Sequence, residues 1–139
     1  MKQYLVKLLF LFFLGLASGC SSISHFDKAA YEQITAVEAS ALSLMDKAVE
    51  DYSIHEKKVQ EVQDKMQEAY LYDKNRPKNK ITAEMWQVII DPQGQSFGSF
   101  ITRWMTEKKL GKTFIIEAKK KVQEHFDRIA QLESSKIKS

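Results

Sequence analysis

The sequence predicts an all-α protein: a long N-terminal amphipathic helix packed against two short helices and a C-terminal helix, a bundle with antiparallel coiled-coil character. Three observations carry this expectation. Apolar residues recur at steps of three and four along most of the chain, the spacing that puts them on one face of a helix. No glycine or proline occurs between Cys20 and Pro77. No stretch alternates apolar and polar residues as a half-buried strand does, and no internal repeat is visible. With 139 residues there is room for one domain. Apolar residues at 44% and charged residues at 28% are ordinary for a chain that folds around a core.

The first helix is expected over about residues 27–74. Ser24-His-Phe-Asp27 has the form of a capping box with the acid in the N3 place. The seam then runs through Tyr31, Ile34, Ala41, Met45, Ala48 and Tyr52, and on through Val59, Val62, Met66 and Ala69, with gaps at Glu38 and His55. Val37, Leu42, Val49 and Tyr70 widen it. Unbroken, such a helix would be roughly 70 Å long at 1.5 Å per residue. Tyr52-Ser53-Ile54 is weaker helix material and marks a place for a break near Asp51–Ile54.

Asp73 to Lys80 is a polar connector in which Pro77 ends the helix. Thr82 is expected to cap a short helix over about 83–90 carrying Met85, Trp86, Ile89 and Ile90. Asp91-Pro92-Gln93-Gly94 has the residue order of a type I turn. Ser96 opens the next helix, with Phe97, Phe100, Ile101, Trp104 and Met105 on one face and Gly111 as its expected C-terminal cap. Thr113 starts the last helix, about 114–134, with the seam Ile115, Ala118, Val122, His125 or Phe126, Ile129 and Leu132. That helix is roughly 30 Å long and cannot cover a helix of 70 Å. The first helix bends, the two middle helices cover the remainder, or a second molecule does. The density of large aromatics between Trp86 and Trp104 favours the middle helices.

The N-terminus is a different kind of sequence. Met1 to Lys7 is short and positive, residues 8–17 are an uninterrupted apolar run, and Ser18-Gly19 are small. This is the layout of a secretory signal. The greasy stretch falls short of the roughly 20 residues needed to span a bilayer. Leu16-Ala17-Ser18-Gly19-Cys20 resembles the lipobox of bacterial lipoproteins, with Ala17 where that family usually has leucine and Leu16 one residue earlier. The resemblance covers about the first 22 residues. It implies cleavage between Gly19 and Cys20, a diacylglyceryl thioether on Cys20, and further acylation of the new N-terminus. It also implies that Ser21, where an aspartate would favour the inner membrane, sorts the protein to an outer membrane facing the periplasm in a Gram-negative cell. On this reading 1–19 is the signal peptide, 20–26 the lipidated N-terminus and a short tether, 27–134 the helical domain, and 135–139 a flexible tail. Residues 21–25 would span at most about 17 Å. A diacylglyceryl group supplies the two chains that stable anchoring needs.

The remaining chemistry is sparse. Two of the 21 basic residues, Lys2 and Lys7, lie in the leader, which leaves 19 against 18 acidic ones and no basic excess that would imply nucleic acid as a partner. One cysteine allows no internal disulfide and no paired-cysteine zinc site. His55 and His125 fall near the seams and would form a metal pair or a pH-sensitive contact only if they met. Without metal-ligand spacing, two separate histidines are expected. Lys74, Arg76, Lys78 and Lys80, and Lys119 to Lys121, read as a solvated loop and a solvated helix face, with lipid headgroups as their other use. Glu84 and Asp91 are the acids that a catalytic pair would use, but no nucleophile, base and orienting group stand at a fixed spacing. The expectation is an envelope lipoprotein, not an enzyme, without cofactor or metal, held to the membrane by Cys20 and binding an envelope protein or itself. A lipid-anchored enzyme or ligand-binding protein, and a self-associating coiled coil, are the alternatives.

Overall fold

The computed structural model describes residues 23–138. Among the described residues five α-helices follow one another: α1 (Lys28–Met45), α2 (Tyr52–Asn75), α3 (Lys80–Ile90), α4 (Phe97–Glu107) and α5 (Lys112–Ser135). Short 3-10 turns follow α1 (Asp46–Val49) and α5 (Lys136–Lys138). The all-α bundle expected from the periodicity is the observed fold.

The long first helix is not continuous. It turns back at residues 46–51, so α1 and α2 lie antiparallel, and the hydroxyl of Tyr72 near the end of α2 donates to Asp27 at the start of α1 at 2.8 Å. The break is set locally and from outside. Asp51 takes an extended conformation and accepts a hydrogen bond from the Ser53 N–H, capping α2. The backbone groups freed at the turn find partners in α4 and its exit. Tyr52 N–H donates to the Lys108 carbonyl, Leu110 N–H to the Ala48 carbonyl, and Trp104 Nε1 to the Glu50 carbonyl. Bending, rather than coverage by the middle helices, therefore resolves the length mismatch.

α5 runs antiparallel to α1. Asp27 N–H donates to Glu133 near one end, and Lys119 pairs with Asp46 near the other. α3 lies antiparallel to α2, through Trp86 on Asp73 and Gln87 on Tyr70. α4 closes the end where α1 turns into α2. Most of the expected seam is buried: Ile34, Ala41, Met45, Val59, Val62, Met66, Ile89, Phe97, Val122, Phe126 and Ile129 belong to one core cluster with both tryptophans. Tyr31 and Met105 are exposed instead, and Leu132 is half-buried while its neighbour Glu133 is fully buried. Trp86 packs edge-on against Phe126 at 5.8 Å, and Trp104 edge-on against Tyr52 at 5.5 Å. Each indole N–H has an acceptor, so burial leaves neither donor unsatisfied.

The helix ends differ from the expectation in three places. Asp27, not Ser24, caps α1, accepting from Ala30 N–H at 2.9 Å. α3 starts at Lys80, and Thr82 is buried in its first turn rather than capping it. The Asp91 turn closes as expected, with Gly94 N–H on the Asp91 carbonyl at 3.1 Å. Gly111 does not end α4; it precedes α5 with an ordinary negative φ of −71°. The residue that terminates α4 with a positive φ, 68°, is Lys108. A side chain there costs energy that glycine avoids. Lys108→Gly keeps the carbonyl that Tyr52 uses and is expected to stabilise the protein by about 1 kcal/mol, read as a higher urea midpoint.

The ends of the domain are also more ordered than a tether and a tail. Ser24 is buried, with its N–H on the Lys78 carbonyl at 3.0 Å, and Lys136, inside the expected tail, is buried as well.

Candidate functional site

The seams of α2 and α5 continue past their last apolar residues into charged ones. Val62, Met66, Ala69 and Tyr70 lead to Asp73, and Phe126 and Ile129 lead to Glu133 and Lys136. All three charged side chains are buried, Glu133 at 0% exposure. From Asp73 the chain places Arg76, Asn79 and Thr82 at successive steps of three, before Trp86 restores the apolar face. Helix periodicity, carried through a proline-containing turn, therefore gathers one polar cluster where α2 ends, α3 begins and α5 ends.

Arg76 is its centre. Its guanidinium donates to Asp73 Oδ1 at 2.9 Å, to the two Glu133 oxygens at 3.0 and 3.1 Å, and to the His25 carbonyl at 2.6 Å. Lys136 Nζ donates to Glu133, to Asn79 Oδ1 at 2.8 Å and to Thr82. Asp73 also accepts from Asn79 and, at 2.7 Å, from Trp86 Nε1. Ser24 Oγ donates to Asn79 Oδ1 at 2.9 Å, and Asp27 N–H donates to Glu133 at 2.8 Å. Two buried anions face two cations, so the interior charge is balanced. Among the described residues, no buried side-chain nitrogen or oxygen lacks a hydrogen-bond partner.

The electrostatics follow from this wiring. Burial works to raise the Glu133 pKa, but hydrogen bonds from Arg76, Lys136 and the Asp27 N–H outweigh it and hold the carboxyl below its usual range. Burial also works against the Arg76 charge; Glu133 and Asp73 reverse the outcome and keep the guanidinium ionised. Asp27 is lowered by the Ala30 N–H and the Tyr72 hydroxyl, with Arg76 adding to them. Every charge here is engaged by another group of the protein. The cluster thus fastens residues 24–27 to both the α2–α3 turn and the end of α5.

No known family model, curated protein or solved structure matches the chain. Its chemistry is therefore read from its own residues.

Cys20, Gly19 and Ser21 lie outside the described residues. Arg76, expected in a solvated loop, is instead the centre of the buried cluster; Lys78 and Lys80 are exposed. The histidines do not meet. His55 Nε2 lies 2.9 Å from Glu50 Oε2, with its ring tilted against Trp104, whereas His125 Nδ1 lies 2.8 Å from the Ser96 hydroxyl. Burial first, then the charges of Arg128 and Lys121, lowers the His125 pKa and favours its neutral form. Among the described residues no group of three His, Cys, Asp or Glu side chains is placed to hold a metal ion, and no helix is long and apolar enough to cross a membrane.

Glu84 and Asp91 do line one open groove of about 570 Å³, between α2 and α3, with Tyr70 and Gln87. Both acids are already engaged. Asp91 Oδ1 accepts from the Gln93 N–H at 2.8 Å, and Glu84 lies 3.7 Å from Lys80 Nζ. A second groove, of about 520 Å³, runs between α4 and α5 beside the stacked rings of Phe100 and Phe114, with Arg103 over the Phe114 face at 4.1 Å.

Proposed function

We propose that this chain is a bacterial envelope lipoprotein, attached to its membrane through lipid on Cys20, whose helical bundle acts by binding another envelope protein rather than by catalysis. The observation that carries the reading is Leu16-Ala17-Ser18-Gly19-Cys20 behind a charged start and a ten-residue apolar run, residues 8–17. Two features of the bundle support it. The chain enters the fold at Ser24, four residues past the cysteine, so the domain would sit directly at the membrane. The best-built polar cluster is closed on itself, with its donors and acceptors matched to each other and to the backbone, which suits a scaffold better than a reaction centre.

Mass measurement of the mature N-terminus tests this. The chain is expected to begin at Cys20 with the added mass of a diacylglyceryl group and, in cells that carry out the last step, a further acyl chain. Cys20→Ser is expected to abolish that added mass and to leave residues 1–19 uncleaved. A wild-type protein with an unmodified Cys20 thiol sinks the proposal.

A further inference from the structure

We propose that one end of the bundle, formed by Lys78 to Ile81 together with Ile137 and Lys138, docks flat on an anionic lipid surface. This deepens the reading of Cys20 as the lipid-bearing residue and rests on it.

The first argument is reach. Ser24 is fixed by its N–H to the Lys78 carbonyl and by its hydroxyl to Asn79, and Asn79 is in turn bound by Lys136. These contacts make residues 78–79 and 136 one patch around the point where the chain enters the fold. Ser24 is four chain steps from Cys20, a span of at most about 14 Å when fully extended. The opposite end of the bundle, at Asp46 and Lys108, lies beyond that reach, because the 24 residues of α5 alone extend roughly 36 Å. A lipid on Cys20 therefore selects which end meets the bilayer.

The second argument is chemistry. Around the patch, Lys78, Lys80 and Lys138 are exposed, and so are Ile81 at 54% and Ile137 at 65%. Among the acids of the same end, Asp73 and Glu133 are buried and balanced by Arg76 and Lys136, Asp27 is half-buried under the Tyr72 hydroxyl, and Glu84, 3.7 Å from Lys80, offsets one of the three exposed lysines. What faces outward is cationic with two isoleucines among the lysines, the composition that interfacial protein surfaces present to anionic headgroups. Lys78 also holds a positive φ of 58°, where glycine would fit at lower cost, so a charged side chain is present there despite its backbone conformation. Each lysine close to an anionic surface strengthens attachment roughly fivefold.

The test uses the full, acylated protein in vesicles of phosphatidylglycerol with phosphatidylcholine, or of phosphatidylcholine alone. A fluorophore on Ile137→Cys reports the proposed face, and one on Lys47→Cys reports the far end. On anionic vesicles, quenching of the Ile137 label by an aqueous quencher is expected to fall severalfold, and the Lys47 label to stay fully accessible. The protection is expected to vanish on phosphatidylcholine, at high salt, and in the Lys78→Gln, Lys80→Gln, Lys138→Gln variant, while the protein still floats with the vesicles through its lipid. An Ile137 label equally accessible on both vesicle types, in a protein that floats, overturns the docking face and leaves the anchor intact. Thiol labelling of the wild-type chain, which has no cysteine besides Cys20, would mean that Cys20 carries no lipid, and both readings would then fall.

Discussion

Gly98→Ala is expected to be the most damaging single-methyl change in the protein, destabilising it by about 3 kcal/mol or more. Gly98 lies in the first turn of α4, where that helix presses against the end of α3. A Cβ there would stand 2.6 Å from the Asp91 carbonyl oxygen, 2.7 Å from its carbon, and closer still to the Ile90 carbonyl oxygen. All three are backbone atoms, and the Asp91 carbonyl is already fixed by the Gly94 N–H. No side chain can swing aside to make room, so α4 must move away from α3. That movement would disturb the packing of Phe97, Phe100 and Trp104. In a domain of this size the loss corresponds to an unfolding temperature lower by roughly 10 °C. Gly111→Ala is the control. A Cβ there meets nothing within 4 Å, and the residue already has an ordinary φ, so the change is expected to stay within about 1 kcal/mol of wild type. Thermal unfolding followed by circular dichroism measures both. A Gly98→Ala protein that melts with wild type would mean that α4 does not approach α3 as closely as described.

The same residues show what the sequence makes legible. The identity of the core was readable, because a buried helix face repeats at three and four wherever it is apolar: Ile34, Ala41, Met45, Val59, Val62, Met66, Trp86, Phe97 and Trp104 all fall where that repeat puts them. The fold-back at residues 46–51 was only partly so: weak helix material marks a break at 51–54, but not where the chain turns or what it turns onto. Asp51 is a good cap, but the partners of the freed backbone groups are Lys108, Leu110 and Trp104, over fifty residues away in sequence. Local propensity carries no trace of such contacts. Helix ends failed for a related reason: Ser24 and Thr82 have side chains suited to capping, yet each is used by the polar cluster through Asn79 or Lys136. The cluster itself left a usable signal. The three-and-four repeat does not stop at Ala69 and Ile129; it continues through Asp73, Glu133 and Lys136, and charges of both signs on a continued seam point to a buried pairing. The expected connector beginning at Asp73 and the expected tail beginning at residue 135 cut across that repeat.

Removing Glu133 should expose how strongly that pairing holds the fold. Glu133→Ala leaves Arg76 and Lys136 with Asp73 as the one remaining buried anion and deprives the Asp27 N–H of its acceptor. Breaking a buried ion pair from one side commonly costs about 3–5 kcal/mol, a large part of the stability of a domain this small. Replacing the whole set together, as Asp73→Asn, Arg76→Met, Glu133→Leu and Lys136→Met, is expected to recover part of the loss, because no unmatched charge of the buried pairing then remains inside. Recovery would be incomplete, since His25 and Asp27 would still lose their partners. The pH dependence has a definite sign. Glu133 and Asp27 are both held below their ordinary values in the folded state, so the unfolded chain binds more protons than the folded one as acid is added. Their contribution is complete above the unfolded carboxylate range, about pH 4, and is lost as the pH falls through the lower folded values. Urea midpoints should therefore decline slightly below about pH 6.5, because the fold disfavours the protonated form of His125, and drop further below about pH 4 as the carboxyls protonate. Glu133→Gln should start lower and drop less steeply, because one of the depressed carboxyls, a buried one, is gone. A Glu133→Gln curve parallel to that of wild type through the acid limb would show that Glu133 does not carry the acid sensitivity.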